Sequence, residues 1–426
     1  MTPSARNTPA DAEIVADVVI VGAGMAGATL ALALAAGNLS CVLVDSRPFE
    51  ALTAPDFDGR ASAISFAAWR GWRVLGAVGA LEPHAQRIEQ ILVTDGRAPG
   101  ASVRRPSGAW LRFDSAEIAG RNGGEPLGYL IENRHIRAAL AQAVLASRVQ
   151  VIAPGKAAQI SREAGGVTVT LEDGRRLKGS LLVGADGKAS RVRQDAGIGT
   201  AGWNYGDTGV VATVRINRDH EGVAYEHFLP GGPFAILPLT GRRASLVWTE
   251  KKARGAALIR ASPEAFEAHL RRRFGAFLGQ VEAEGPRFAY PLGLQIADSL
   301  TASRTALIGD AAHSVHPIAG QGLNMGLKDA AALAEVLIEA ARLGEDLGAA
   351  VVLDRYARWR GVDNMGVALA TDAFTRLFAT DHPLVRTVRD AGMAVVNRIG
   401  AARRMFMAEA GGASGDLPRL LRGESV

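Results

Sequence analysis

Few local structures can satisfy the stretch from Asp17 to Asp45. The β-branched run Val18, Val19, Ile20, Val21 leads straight into glycines at 22, 24 and 27, and a Leu/Ala-rich stretch follows to Ala36. β-Branched residues favour an extended chain and Leu and Ala favour a helix, so the stretch reads as strand, tight turn, helix. A hydropathy window over Val18 to Ala36, 19 residues without a charge, would suggest a membrane span. The three glycines break that run where a strand ends and a helix begins, which points to a soluble or peripheral protein. A second short strand, Cys41 to Val44, ends on Asp45, 18 residues past Gly27. In this pattern Gly22 permits the sharp turn, Gly24 lets the backbone approach a pyrophosphate, and Gly27 allows close helix–strand packing. The free N–H groups and positive dipole end of the helix then face the phosphates. An acid at the end of the second strand accepts hydrogen bonds from ribose hydroxyls and repels a 2′-phosphate, so FAD or NAD is expected rather than NADP.

Two later stretches carry further chemistry. Val167 to Leu171, with a turn at Asp173 and Gly174, reads as a hairpin feeding a buried strand from Leu181 to Gly184 that ends at Asp186. About 120 residues on, the run Ala306 to Gly309 ends at Asp310 and passes His313, His316 and Pro317. It then opens a helix from Gly320 to about Ala341 through Gly322, Leu323, Asn324 and Met325. A strand ending in Gly-Asp sets a carboxylate where it can bind sugar-alcohol hydroxyls. A glycine-rich helix start aims backbone N–H groups at an anion. A carboxylate inside so apolar a run needs a partner if it is buried. His313 and His316 have the spacing of a metal pair, but no third ligand is near and Pro317 fixes the loop. His313 is therefore read as structural and His316 as a pocket wall, with no metal expected.

The order GAGMAG, GADG, then GDAAHSVHPIAGQGLNMGLKDAAAL resembles the three-part signature of flavin aromatic hydroxylases similar to para-hydroxybenzoate hydroxylase. The third motif is closest in kind to the ubiquinone-biosynthesis hydroxylases, as are Gly59-Arg60, Ile131 to Arg134, His382 to Arg386, Val396 to Arg398 and Arg403 to Phe406. The likeness runs from about Ala16 to Phe406. It implies that Gly22, Gly24 and Gly27 hold the FAD pyrophosphate and Asp45 its ribose, that Arg60 lies near the flavin and Arg134 near the phosphates, and that Asp186 belongs to the region shared by FAD and nicotinamide. Asp310 would bind the ribitol, and Gly322, Leu323, Asn324 and Met325 would sit at the pyrimidine edge of the flavin. The implied activity is hydroxylation of a polyprenylated phenol in ubiquinone biosynthesis, through a flavin C4a-hydroperoxide formed with O2 after reduction by transiently docked NAD(P)H. The catalytic side chains stay unassigned, because the cofactor carries the chemistry. A small non-prenylated aromatic is the alternative substrate. A non-catalytic flavin-binding scaffold subunit is the alternative from another class.

The implied fold is α/β, a glutathione-reductase-type Rossmann-like FAD-binding domain from residues 11–75, 127–199 and 298–345. A mixed antiparallel sheet domain for substrate takes 76–126 and 200–297, C-terminal helices take 346–410, and 1–10 and 411–426 are flexible tails. Strands are expected at Gly209–Ile216, Val223–Leu229, Phe234–Pro238, Ala244–Trp248 and Arg287–Ile296, with a helix at Pro263–Phe274. Phe228, Phe234 and Trp248 are read either as pocket lining or as plain core. No second glycine fingerprint follows residue 45, so no separate NAD(P)H domain is expected.

Composition bears on partners. The chain has 426 residues, 48% of them apolar and 21% charged, which excludes wholesale disorder. The single cysteine, Cys41, excludes an internal disulfide and any multi-cysteine metal site, and fits a reducing compartment. The first 17 residues lack the apolar core of a secretory signal. A net charge of +5 and a pI near 9.6 raise nucleic acid as a partner, but no helix-turn-helix, zinc or RNA-binding signature is present. Part of the charge sits between Pro383 and Phe406, with five arginines and one acid. There Leu384, Val388, Ala391, Val395, Ile399, Ala402 and Phe406 share one helical face. Such a helix suits anionic lipid or packing on the FAD domain, and both readings stand. The expected partners are an aromatic substrate, O2, a membrane surface and other ubiquinone-biosynthesis proteins. The expected location is cytoplasmic, peripheral on the inner face of the membrane.

Overall fold

The computed structural model describes residues 13–49, 51, 57–95, 110–118, 120, 123–229, 231–315, 320–379, 392–412 and 415–426. Val18–Val21 forms a fully extended strand and Met25–Ala36 a helix, so the uncharged run is two elements. No helix among the described residues is long and apolar enough to cross a membrane. Val18–Val21 lies inside a six-stranded sheet between Leu181–Gly184 and Cys41–Val44, all parallel. Gln150–Ile152 and Thr305–Leu307 extend it, and Thr301–Ala302 adds an antiparallel edge. Its strands read as continuous apolar runs because both faces are covered. On one side, helices Met25–Ala36, Asn133–Ala146 and Gln321–Arg342 share a core with the strands. On the other lies the sheet Glu13–Val15, Arg176–Gly179, Gly166–Leu171, Ala157–Glu163.

The second layer is an eight-stranded mixed sheet. Its order is His313–Ser314, Val281–Ala297, Thr200–Ile216, Arg243–Lys251, Gly232–Leu239, Val223–Leu229, Gln90–Asp95, Trp110–Asp114. All its pairs are antiparallel except Val223–Leu229 with Gln90–Asp95. One face packs on helices Lys252–Arg260 and Pro263–Phe274. The outer strands run longer than alternation alone suggests, because Thr200–Ile216 and Val281–Ala297 stay paired across register shifts at Asn204/Thr208 and Val211/Thr213. A bulge lets a strand bend without ending.

Two expectations about the C-terminus change. The last residues, expected as a flexible tail, are packed. Helix Arg419–Arg422 buries Leu420 and Leu421 against the core that contains Trp69 and Trp72, and the Arg419 N–H donates to Glu335 at 2.6 Å. Two adjacent leucines supply enough apolar area to hold so short a segment. The expected amphipathic helix over 383–406 is also not continuous where it is described. Residues 392–398 are helical, Ile399 interrupts, and Gly400–Ala410 forms a separate helix. Gly400 at the junction weakens a single helix through its backbone freedom. Residues 383–391 lie outside the described residues.

Candidate active site

The helix Met25–Ala36 and the helix Gln321–Arg342 both point their N-termini into one cavity of about 1920 Å³. That exceeds the ~300–1,000 Å³ of ordinary small-molecule pockets, so there is room for a large cofactor and a substrate together. Neither helix start carries a side-chain cap, an arrangement that suits an anion at each N-terminus. Gly22 has φ +111°, and a Cβ there would lie 2.3 Å from the Ala185 carbonyl oxygen. Gly24 is different. A Cβ on it would meet no protein atom within 4 Å, because that position opens on the cavity. Gly27 does not line the cavity. Its missing Cβ lets the helix close on the Gly22 carbonyl, which a side chain would approach to 2.0 Å.

Asp45 is buried at the cavity wall. It accepts from the Ala23 N–H at 3.0 Å, and from the Arg47 N–H and Nε at 2.9 and 3.1 Å. Asp186 also lines the cavity, but its carboxylate caps the helix Arg191–Asp195. It accepts from the Arg191 and Val192 N–H groups at 2.7 and 3.2 Å and from the Ser190 hydroxyl. Arg60 lines the cavity, paired with Asp58 at 2.7 Å and 5.4 Å from the centroid of the Tyr290 ring. Arg134, expected near the phosphates, does not line it. Its guanidinium turns to Glu132 at 2.9 Å and to the Phe57 ring. Helical spacing explains the exchange, since Asn133 and Arg137 lie four apart on the cavity face and Arg134 falls off it. Arg137, which the sequence reading did not single out, is held there by Asp58 at 3.0 Å.

Asp310 sits in the turn Gly309–Ala311 and faces the cavity, where no described residue donates a hydrogen bond to it. Removal from bulk water raises its carboxyl above the ordinary value, opposed by His313, Arg60 and Lys188. The turn is anchored from behind by Asp329, which was not anticipated. Its carboxylate accepts from the Gly309 N–H at 3.1 Å, from Arg360 Nε at 2.9 Å and from Asn364 at 3.0 Å, and bonds His313 Nε2 at 2.5 Å. Burial alone would raise its pKa, but His313, Arg360 and Asn364 overcome that and hold it well below the usual carboxylate range. His313 is thus a structural partner. His316 lies outside the described residues. The one sequence trace of Asp329 is that it follows Lys328 and precedes the apolar run Ala330 to Leu333.

Gln321, Gly322, Leu323 and Asn324 line the cavity, and Met325 is buried in the packing behind it. The Asn324 side chain ties this helix to the strand Ala61–Ser65, accepting from the Ser65 N–H at 3.0 Å and donating to the Ala63 carbonyl at 2.8 Å. Across the cavity, the free face of the large sheet contributes Val211, Ala235, Leu237 and Val247. Of the three aromatics weighed, only Phe228 lines the cavity, stacked on Phe378 at 3.7 Å. Phe234 and Trp248 form an edge-to-face pair in the core on the opposite face.

Residues 15–361 match the family described as FAD binding domain. The chain is 44% identical over 416 residues to a ubiquinone hydroxylase of Rhodospirillum rubrum, covering 97% of this chain and 94% of that protein. It belongs to the FAD-binding monooxygenase family related to the ubiquinone hydroxylases. A second member, the 3-demethoxyubiquinol 3-hydroxylase of Escherichia coli, is 34% identical over 92% of this chain and 97% of its own length. Among solved structures, a p-nitrophenol 4-monooxygenase from Pseudomonas putida shares the fold with a TM-score of 0.77 and 20% identity, over 95% of this chain and all of that one.

FAD, the cofactor of this family, fits the residues present. The open space over Gly24 accommodates a pyrophosphate where any side chain would intrude. The carboxylate of Asp310 has no donor among the described residues and suits polyol hydroxyls. The second uncapped helix start, at Gly320, suits the electron-rich edge of a flavin ring.

Proposed function

We propose that this chain is an FAD- and NAD(P)H-dependent hydroxylase of the aromatic ring of a polyprenylated phenol in ubiquinone biosynthesis, working at a membrane surface. The observation that carries the reading is a single cavity with a dinucleotide cradle at one end and an apolar sheet face at the other. The 44% identity to a ubiquinone hydroxylase supports the substrate class. FAD, when bound and reduced by NAD(P)H, would activate O2, one atom of which enters the ring while the other leaves as water. The N–H groups after Gly24 hold the phosphates, and Asp310 accepts from the ribityl chain. The helix starting at Gln321 faces negative charge with its positive end. The sheet side chains exclude water, which protects reactive oxygen from wasteful loss. With the FAD-loaded chain, ortho-farnesylphenol should accelerate NAD(P)H oxidation and yield a hydroxylated product, and para-hydroxybenzoate should do neither. Equal turnover of para-hydroxybenzoate would transfer the assignment to a small-aromatic hydroxylase. Bound flavin that neither compound helps to reduce would favour a scaffold subunit.

The membrane part of the reading rests on exposed apolar side chains of two segments that also contribute residues to the cavity lining. Along the helix Ala350–Ala379, Val362 (81% exposed), Met365 and Leu369 (57%) form an outward stripe, and Val362 also lines the cavity. Val395 (54%) and Ile399 (49%) of the expected amphipathic face are likewise turned outward, with exposed Arg398 between them. Each such side chain is worth about 1.5–3 kcal/mol on burial. The double substitution Val362→Asp/Leu369→Asp should therefore weaken binding to anionic liposomes at least about tenfold. Undiminished co-sedimentation would sink the membrane contact.

A further inference from the structure

One carboxyl in the cavity has no part in holding a dinucleotide. Glu226 lies on Val223–Leu229 with its side chain on the cavity face of the large sheet. Strand register sets its surroundings. Directly beside it are Val93 on one strand and Ala235 on the other, and the same row continues through Leu111 outward and Val247 and Val211 inward. All five are apolar. Among the described side chains the nearest polar ones on this face, Ser245 and Thr249, lie two residues along the strand from Val247, and the nearest charged position in register is Asp95, paired with Phe228. The helix residue Phe378 and Met393 close over the adjacent Phe228 and bring no charge. In its own strand the titratable neighbours Tyr225 and His227 alternate to the opposite face, where both pack on Phe277 and His227 bonds Thr94 at 2.7 Å. No described residue donates a hydrogen bond to Glu226.

A carboxyl so placed costs stability. Burial alone pushes it up to about 8 from an ordinary 4.5, and an unpartnered buried polar group is unfavourable. Such a group in a cleft marks a candidate functional residue. It retains some accessibility because one side faces the cavity, so whatever satisfies it enters with the ligand. A phenol is an apolar ring with one O–H donor, which matches an apolar wall with one acceptor.

We propose that Glu226 is the catalytic base that binds the substrate's phenolic hydroxyl and takes its proton. This rests on the hydroxylase reading above. The phenol O–H breaks, an O–H forms on the Glu226 carboxylate, and the electron pair remains on the ring oxygen, making the ring more electron-rich for oxygen insertion. The hydroxylated carbon releases its hydrogen as a proton, which ends in the water formed from the second atom of O2, and the proton on Glu226 returns to the ring oxygen as the ring becomes aromatic again.

The test uses the FAD-loaded full chain and its Glu226→Gln variant, titrated with ortho-farnesylphenol and with its methyl ether, binding being read from the flavin spectrum. Above pH about 8, where the carboxyl is ionised, wild type should prefer the phenol by about tenfold or more, as expected for a hydrogen bond to a charged group. Glu226→Gln should bring the two within about twofold, and Glu226→Asp should keep a preference. In turnover, wild-type kcat/KM should rise with pH through about 8. The variant should lose that limb and about a hundredfold in kcat/KM. The absence of any preference in wild type, a preference that survives in Glu226→Gln, or a fall in rate with the pH limb intact would each overturn the proposal. Wild type that prefers the phenol but makes no hydroxylated product overturns the hydroxylase reading and leaves the binding role of Glu226 standing. Folding is checked without ligand. A raised carboxyl contributes stability below 4.5 that is lost as pH rises through about 8, so Tm should fall over that window in wild type and not in Glu226→Gln.

Discussion

Gly22→Ala should purify with little or no flavin and a lowered Tm, whereas Gly24→Ala should keep its Tm and lose flavin affinity. The two glycines lie two residues apart in the same turn, and the contrast follows from what a methyl group meets at each. At Gly22 it meets backbone that cannot yield, the Ala185 carbonyl at 2.3 Å and the Asp186 nitrogen at 2.8 Å, at a φ of +111°. Strain at such a φ costs about 1–3 kcal/mol and overpacking about as much again. The total of roughly 2–6 kcal/mol is a large share of the ~5–15 kcal/mol that holds a domain folded. The turn also carries the adjoining N–H groups, so its displacement removes the phosphate cradle. At Gly24 the methyl meets nothing of the protein within 4 Å, and any effect arises from the bound phosphate. Even about 3 kcal/mol of lost interaction is more than a hundredfold in Kd. The checks are the ratio of flavin to protein absorbance after purification and thermal unfolding with and without added FAD. A Gly22→Ala protein with full flavin and unchanged Tm would refute the role assigned to the turn.

The parts of the molecule legible in the sequence are those in which backbone geometry dictates residue type. The strand–turn–helix at Val18 to Ala36 could be read because β-branched residues, glycine and Leu/Ala each favour a different backbone. The large sheet could be read in outline from alternation, since one of its faces lies under helices and the other lines the cavity. Less legible were the residues whose role depends on where an element is turned. Arg134 and Arg137 differ by three positions on one helix, and which of them faces the cavity is set by how the helix docks. Phe228 lines the cavity and Phe234 lies in the core because their strands offer opposite faces at those positions, a matter of register. Glu226 carried no motif at all. It becomes conspicuous only when the pairing of six strands shows that every side chain in its row is apolar. The packed segment Arg419–Arg422 likewise depends on a surface built by residues more than 300 positions earlier.

The other large effect should come from Asp329→Ala, which lies behind the site and touches no ligand. Asp329 is fully buried and joins four groups from three elements: Gly309, His313, and Arg360 with Asn364 on one helix. Two charges in such a place gain little over a well-packed apolar pair, but deleting one of them strands the other. Arg360 would keep Asp363 as a partner and lose the buried acid. The expected cost is about 3–5 kcal/mol, the range for breaking a buried pair, read as a lower urea midpoint at neutral pH. Adding Arg360→Met should recover part of it, because the stranded cation is then gone. The pH dependence has a definite sign. The folded-state pKa of Asp329 is depressed below its ordinary 3.8. Its stabilisation is therefore complete above that pH and lost as pH falls through the folded value. The gap between wild type and Asp329→Ala should be constant from neutrality down to about 4 and narrow only below it. A gap that stays constant into stronger acid would mean that the carboxylate is not what holds this cluster together. Because the Gly309 N–H loses its acceptor, the turn that presents Asp310 loosens as well. FAD release should then accelerate at temperatures where the variant is still folded, so loss of flavin should precede loss of the fold.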